Sequence, residues 1–196
     1  MNVRIVRLMG YFGILSPIIG ALMIALSIQS SPWFNWSDYA LSHLGARGFG
    51  SVLFNGGLPM TGAVLMMFSS GLFVYTHGSL IGQIGSSLHL AIAFTLVALG
   101  PVNINVQPWH NYLSVSLFVF IPISLLLLSI YNFRNDMKPY AYIGFLSSVV
   151  AAAIWGYNGI SVALQEVVAA LAMTVWQIPL AAWMIRLEPP DDDEFS

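Results

Sequence analysis

The chain has 196 residues, of which 58% are hydrophobic and 7% charged, with a mean hydropathy of +0.80 and a net charge of −2. Soluble domains carry about 25% charged residues, so this composition cannot solvate a globular surface. The six basic residues are scattered rather than clustered, which gives no footprint for nucleic acid. With no cysteine, disulfides, thiolate metal sites and a cysteine nucleophile are excluded, and the compartment is left undetermined.

Arg4 and Arg7 precede an apolar run from Leu8 to Gln29. That run is longer than the core of a signal peptide and suits about 30 Å of hydrocarbon, so it reads as an uncleaved first span, with Pro17 inside it. Next comes the longest polar interruption of the first two-thirds, Trp36 to Asn55. The aromatic residues Trp33, Phe34 and Trp36 suit a membrane interface. Ser37 or Asp38 is placed to cap a short helix reaching Leu44, on which Asp38 and Ser42 share a face; Gly45, Gly48 and Gly50 then break it.

Further spans are expected over 52–75, 79–100, 110–131, 139–155 and 161–185. Only Thr76 to Gly78 separates the second from the third, and Gly78, Gly82 and Ser86 form a small-residue stripe that suits close packing of this hairpin. No hydrophilic linker divides the chain. We therefore expect one all-α domain over 1–187, a six-span transmembrane bundle, followed by a disordered acidic tail over 188–196. Six spans place both termini on one side. Arg4, Arg7, Arg134, Lys138 and Arg186 fall there and only Arg47 falls opposite, so both termini are expected to be cytoplasmic. The expected location is the cell (plasma) membrane.

This topology gathers Asp38, Ser42, His43, Asn55, Asn103, Asn105, His110 and Glu166 in the outer third. Ionisable groups within a membrane tend to face a bundle interior or an aqueous cavity, so an outward-opening pocket lined by Asp38, His110 and Glu166 is the sharp reading. Each residue also has a plainer one. Asp38 can be a helix cap, His43 and Arg47 solvated loop residues, Asn55 a cap for the second span, and His110 an interfacial ring. His89, near the bilayer midplane, can be a hydrogen bond between helices. Glu166 is hardest to dismiss, because a carboxylate about two turns inside a span costs on the order of a few kcal/mol. It needs a cation, a water-filled pocket or a proton. Its own helix face is small and apolar, so partners are expected among His110 first, then Arg47, Asp38 and the asparagines 103 and 105.

No His-Glu-x-x-His, Gly-x-Ser-x-Gly or Walker motif is present. His110, Glu166 and Asp38 are weak candidates for a metal, since their spacing gives no support. The sequence names no cofactor. A transporter would need a midplane site, for which His89 is the candidate.

The stretch Ser37-Asp38-Tyr39-Ala40-Leu41-Ser42-His43-Leu44-Gly45, with Phe54-Asn55 opening the second span and Val106-Gln107-Pro108-Trp109-His110 entering the fourth, resembles the membrane family called domain of unknown function 998. It is also similar to more distant membrane proteins of the Frag1/DRAM/Sfk1 type. The resemblance runs over roughly residues 8–186. It implies a six-helix bundle and residues of interest at Asp38, Ser42, Gly45, Asn55 and His110, with no settled activity; the distant relatives are associated with lipid or membrane-trafficking roles. The expected function is the binding of a lipid or small ligand in the outward pocket. An intramembrane, metal-dependent or metal-free lipid hydrolase is the alternative, and a proton-coupled transporter the third. Membrane lipids are the expected partners, beside a protein partner or a second copy of the chain; nucleic acid is not expected.

Overall fold

A computed structural model describes residues 2–188; the acidic tail, apart from Glu188, lies outside the described residues. Six helices are long and apolar enough to cross a membrane: α1 Val3–Gln29, α2 Gly48–Tyr75, α3 Leu80–Leu99, α4 Trp109–Arg134, α5 Lys138–Ala153, which a short 3-10 turn Ile154–Gly156 continues, and α6 Val162–Ile185. Among the described residues there is no strand. The helix starts are set by local chemistry. Asn2, Ser79 and Ser161 each accept a hydrogen bond from the backbone amide three residues on, which satisfies one of the free N–H groups of the first turn. Helices α1, α2 and α4 run several residues beyond the apolar runs, because polar and glycine residues at the membrane edge can still complete a helical turn.

Each helix packs on its neighbours in the chain, and α6 returns to α1, so the six form a closed ring. Its centre is filled by Phe68, Leu72, Leu125, Trp176 and Leu180. One face, here the loop face, carries the 30–47, 100–108 and 154–161 connections. The other carries both chain ends and the tight turns.

The α2–α3 hairpin is close-packed, through two of the three residues of the expected stripe, Gly82 and Ser86. Gly78 lies in the turn at φ +85°, a left-handed conformation that glycine adopts without steric cost, and a side chain there would meet nothing within 4 Å. A side chain at Gly82 would run into Thr76 and Tyr131. Ser86 shares a 3.0 Å hydrogen bond with Thr76. Deeper in, Gly62 lies against the backbone of Ala93, and Gly100 against Pro59.

The 30–47 loop also differs from expectation. Asp38 caps no helix; its carboxylate accepts from the Asn35 amide at 2.8 Å. Ala40 is extended, and a 3-10 turn, Leu41–Gly45, follows it. Asp38 and Ser42 therefore do not share a helix face. Leu41 and Leu44 seat this turn on Phe54 of α2 and Ala163 of α6 in a small second apolar cluster.

Candidate functional site

The 3-10 turn begins without a cap of its own, since Ala40 has no side-chain oxygen. His43 Nδ1 accepts the Ala40 N–H at 3.1 Å. The next amides are satisfied from another helix: Glu166 of α6 turns inward and its carboxylate accepts the Leu41 N–H at 2.5 Å, with the Ser42 N–H as a second backbone donor. A carboxylate at the amino end of a helical turn is well placed, because the free N–H groups there carry partial positive charge. Glu166 points inward as expected, but its partners are backbone amides and not His110, Arg47, Asp38 or the asparagines.

His110 fails as that partner for a reason in its own bonding. It is 4% exposed. Its Nδ1 lies 2.9 Å from the carbonyl of Val102, which can only accept, so Nδ1 carries the proton. Nε2 then accepts from Ser114 Oγ at 3.3 Å. With both ring nitrogens engaged, His110 ties the 100–108 loop to the first turn of α4.

Two cavities meet at this point. The outer one, about 770 Å³, is a groove running from Ser37, Asp38, Tyr39 and His43 down α4 and past Trp155 and Val162. The inner one, about 380 Å³, lies between α1, α2, α3, α4 and α6 and is almost wholly apolar. Ser42, His110, Ser114, Phe118 and Glu166 line both. Neither lining contains Lys or Arg. At the deep end of the inner cavity, Gln177 is 1% exposed. Its amide nitrogen donates to the Gly13 carbonyl at 2.7 Å and to Ser16 Oγ at 2.9 Å. Its Oε1 and the Thr61 hydroxyl are buried with no protein partner.

The remaining candidates lie elsewhere. Asn55 donates to the Gly45 carbonyl at 3.0 Å, Asn103 Oδ1 accepts the Asn105 N–H at 3.0 Å, and Asn105 Nδ2 donates to the Ala46 carbonyl at 3.1 Å. These three asparagines hold loop backbone together and line neither cavity. Arg47 sits over the Trp33 ring, 4.5 Å from its centroid. His89 is fully buried, 2.8 Å from Ser69 Oγ and packed against Phe68 and Trp176, outside both cavities. Among the described residues no three of His, Asp and Glu are grouped to hold a metal. His110, Glu166 and Asp38 therefore do not form the metal site considered above.

A family model described as "Protein of unknown function (DUF998)" matches residues 14–183. The chain belongs to this family. No curated protein and no solved structure matches it. With the six apolar helices, membership makes this DUF998 chain a multi-pass membrane protein.

Ser114, Thr61 and Gln177 of this DUF998 protein were not singled out in the sequence. Ser114 could have been found four residues after His110, on the same helix face. Gln177 could have been found as an amide within an apolar span, where a polar side chain seeks a partner across the bundle.

Proposed function

We propose that this protein binds an amphiphilic lipid. Its polar end would sit at the junction formed by Glu166, Ser42 and Ser114, and its hydrocarbon in the inner cavity. The observation that carries this reading is a carboxylate standing where two cavities meet, with no cationic side chain in either lining. Ser114 spends its hydrogen on His110 and offers lone pairs. The junction is thus rich in acceptors and suits a head group that donates hydrogen bonds, a hydroxyl or an amine, rather than a bare carboxylate or phosphate.

Native mass spectrometry of the purified protein tests this. The wild type should retain a lipid with a hydroxyl or amine head. Glu166→Gln is nearly isosteric and keeps one accepting oxygen. It should fold normally and bind that lipid about tenfold more weakly, a loss of about 1.4 kcal/mol. Equal lipid content in the two proteins would end the proposal.

Hydrolysis is less well supported. Ser114 and His110 pair as a nucleophile and base would, but an oxyanion needs its own donors. The amides of Leu41 and Ser42 at this junction already face Glu166. Transport through His89 has no cavity leading to it among the two described.

We also propose that the loop face is the outer side of the cell membrane, on the five-to-one bias of basic residues toward the terminal face. Cysteines placed at Arg47 and Asn105 should react with an impermeant thiol reagent in intact cells, and one at Asp136 should not. The opposite pattern would invert the protein.

A further inference from the structure

The roof of the inner cavity is the 3-10 turn Leu41–Gly45. Its buried Leu41 and Leu44 seal against α2 and α6, and it is pinned at one end by Glu166 and at the other by Asn55. A ligand arriving from the loop face would have to break this seal or pass along the outer groove and by Ser114 and Phe118, where the two cavities meet. The sides differ. Near the terminal face α1 and α6 are in close contact: a side chain at Gly10 or Gly13 would strike Ala181. The Gln177 amide closes the last of this contact on Gly13 and Ser16. Beyond that clasp, residues of both helices line the inner cavity. Its lips are Ala21 and Ala25 on α1 and Ala170 and Leu171 on α6, all of which line the cavity and are exposed.

Resting on the lipid-binding reading above, we infer that the inner cavity takes a single hydrocarbon chain of a bilayer lipid and admits it sideways, through the gap between α1 and α6. Size and shape fit one chain. The 380 Å³ volume is at the small end of ligand pockets, which run from about 300 to 1,000 Å³. The depth from Glu166 to Gln177 is about 16 Å at 1.5 Å per helical residue, the length of a medium acyl chain. The lips carry small or apolar side chains and no charge, so a chain crossing them from the bilayer leaves no polar group unpaired. The head group stays at the level of Glu166, near the membrane edge, where a lipid head group already lies.

The test uses the full-length protein in phosphatidylcholine nanodiscs with a monoacylglycerol carrying a photoactivatable group in mid-chain. Cross-linked residues are mapped by peptide mass spectrometry. The expected label lies on cavity residues such as Thr61, Leu96 and Thr174. Ala170→Trp and Ala25→Phe, on opposite lips, should each cut that label at least fivefold, while Ser37→Trp, at the loop-face rim of the outer groove, should leave it within twofold. Ala170→Leu is the milder companion if the tryptophan lowers folding yield, and should cut the label about twofold. Cavity label that survives the lip variants, or that Ser37→Trp abolishes, would overturn sideways entry and leave lipid binding standing. No cavity label in any form, including detergent-solubilised protein given a soluble short-chain monoacylglycerol, would overturn both.

Discussion

Helix α1 has two long neighbours and meets them differently. Against α2 it is close along nearly its whole length. A side chain at Gly71 would strike Met9, α1's own Gly13 faces Phe68, Gly57 faces Met23, and Ser27 donates to the Gly50 carbonyl at 2.7 Å. Against α6 the α1 glycines that make close approaches, Gly10 and Gly13, lie toward the terminal face beside the Gln177 clasp. Both interfaces are built from apolar residues. In a membrane that does not settle closure, because lipid tails are as apolar as leucine and contact depends on small residues and fitted polar pairs. Where glycines face a backbone or a ring, the interface shuts. Where α1 presents Ala21 and Ala25 to Ala170 and Leu171, with no polar pair to draw them together, it stays open and becomes the wall of a cavity.

The largest test of this contrast is Gly13→Ala. The added methyl would lie 2.5 Å from the Phe68 ring and 2.7 Å from Ala181 Cβ, touching both neighbours at once. Neither a buried ring nor a helix-bound alanine can move aside easily, so the cost should be about 1–3 kcal/mol. Thermal melting in detergent should show a clear drop in Tm. An unchanged Tm would mean that the shut half of the α1–α6 interface is looser than its glycines indicate.

A smaller effect is expected from Gln177→Leu. Two hydrogen bonds are lost, while the buried Oε1, which has no protein partner, is lost with them. Side-chain hydrogen bonds between membrane helices average about 0.6 kcal/mol, so the net loss should be about 1 kcal/mol or less. The sharper readout is the gap itself. A cysteine at Ala170 should react faster with a membrane-soluble thiol reagent in the Gln177→Leu background, because the clasp that stops the helices from parting is gone. An equal rate would show that packing at Gly10 and Gly13 alone sets the opening.

How much of this was legible in the sequence follows from the same contrast. Hydropathy located all six helices, because about 20 apolar residues have few other uses. That Glu166 turns inward could also be read, since lipid cannot satisfy a carboxylate. Its partner could not. The carboxylate is held by the amides of a 3-10 turn whose cap position is Ala40, and a missing cap oxygen is visible only once the turn is known to exist. That His110 is no partner of Glu166 is not legible either, because the Val102 carbonyl that engages its Nδ1 belongs to a loop whose path the sequence does not encode in any simple pattern. The asparagines of the polar loops read equally well as ligand groups or as ties between loops, and the structure uses them as ties. The inner cavity left no sequence signal, because it depends on which of its two neighbours α1 meets at each level. Gly20 and Ala21 look alike in composition and face different surroundings.

Gly20 itself supplies the smallest and most discriminating prediction. It lies on α1 between the shut half and the open half, facing Thr61 of α2 at the cavity edge. A methyl added there would sit 3.3 Å from Thr61 Cγ2 and 3.4 Å from its hydroxyl, with nothing nearer. That is slightly crowded, and a shift of a few tenths of an ångström relieves it, which open space beside Thr61 allows. Against the crowding stands the gain from replacing glycine by alanine within a helix, up to about 1 kcal/mol. The two effects nearly cancel, so Gly20→Ala should move the Tm by no more than a degree or two in either direction. The same change at Gly13, two turns away on the same helix, should be plainly destabilising. Measured side by side in one detergent, the pair compares the two levels of α1 with identical chemistry. If Gly20→Ala were as damaging as Gly13→Ala, α1 would be packed as tightly at the level of Gly20 as at Gly13, and the cavity beside it would be closed.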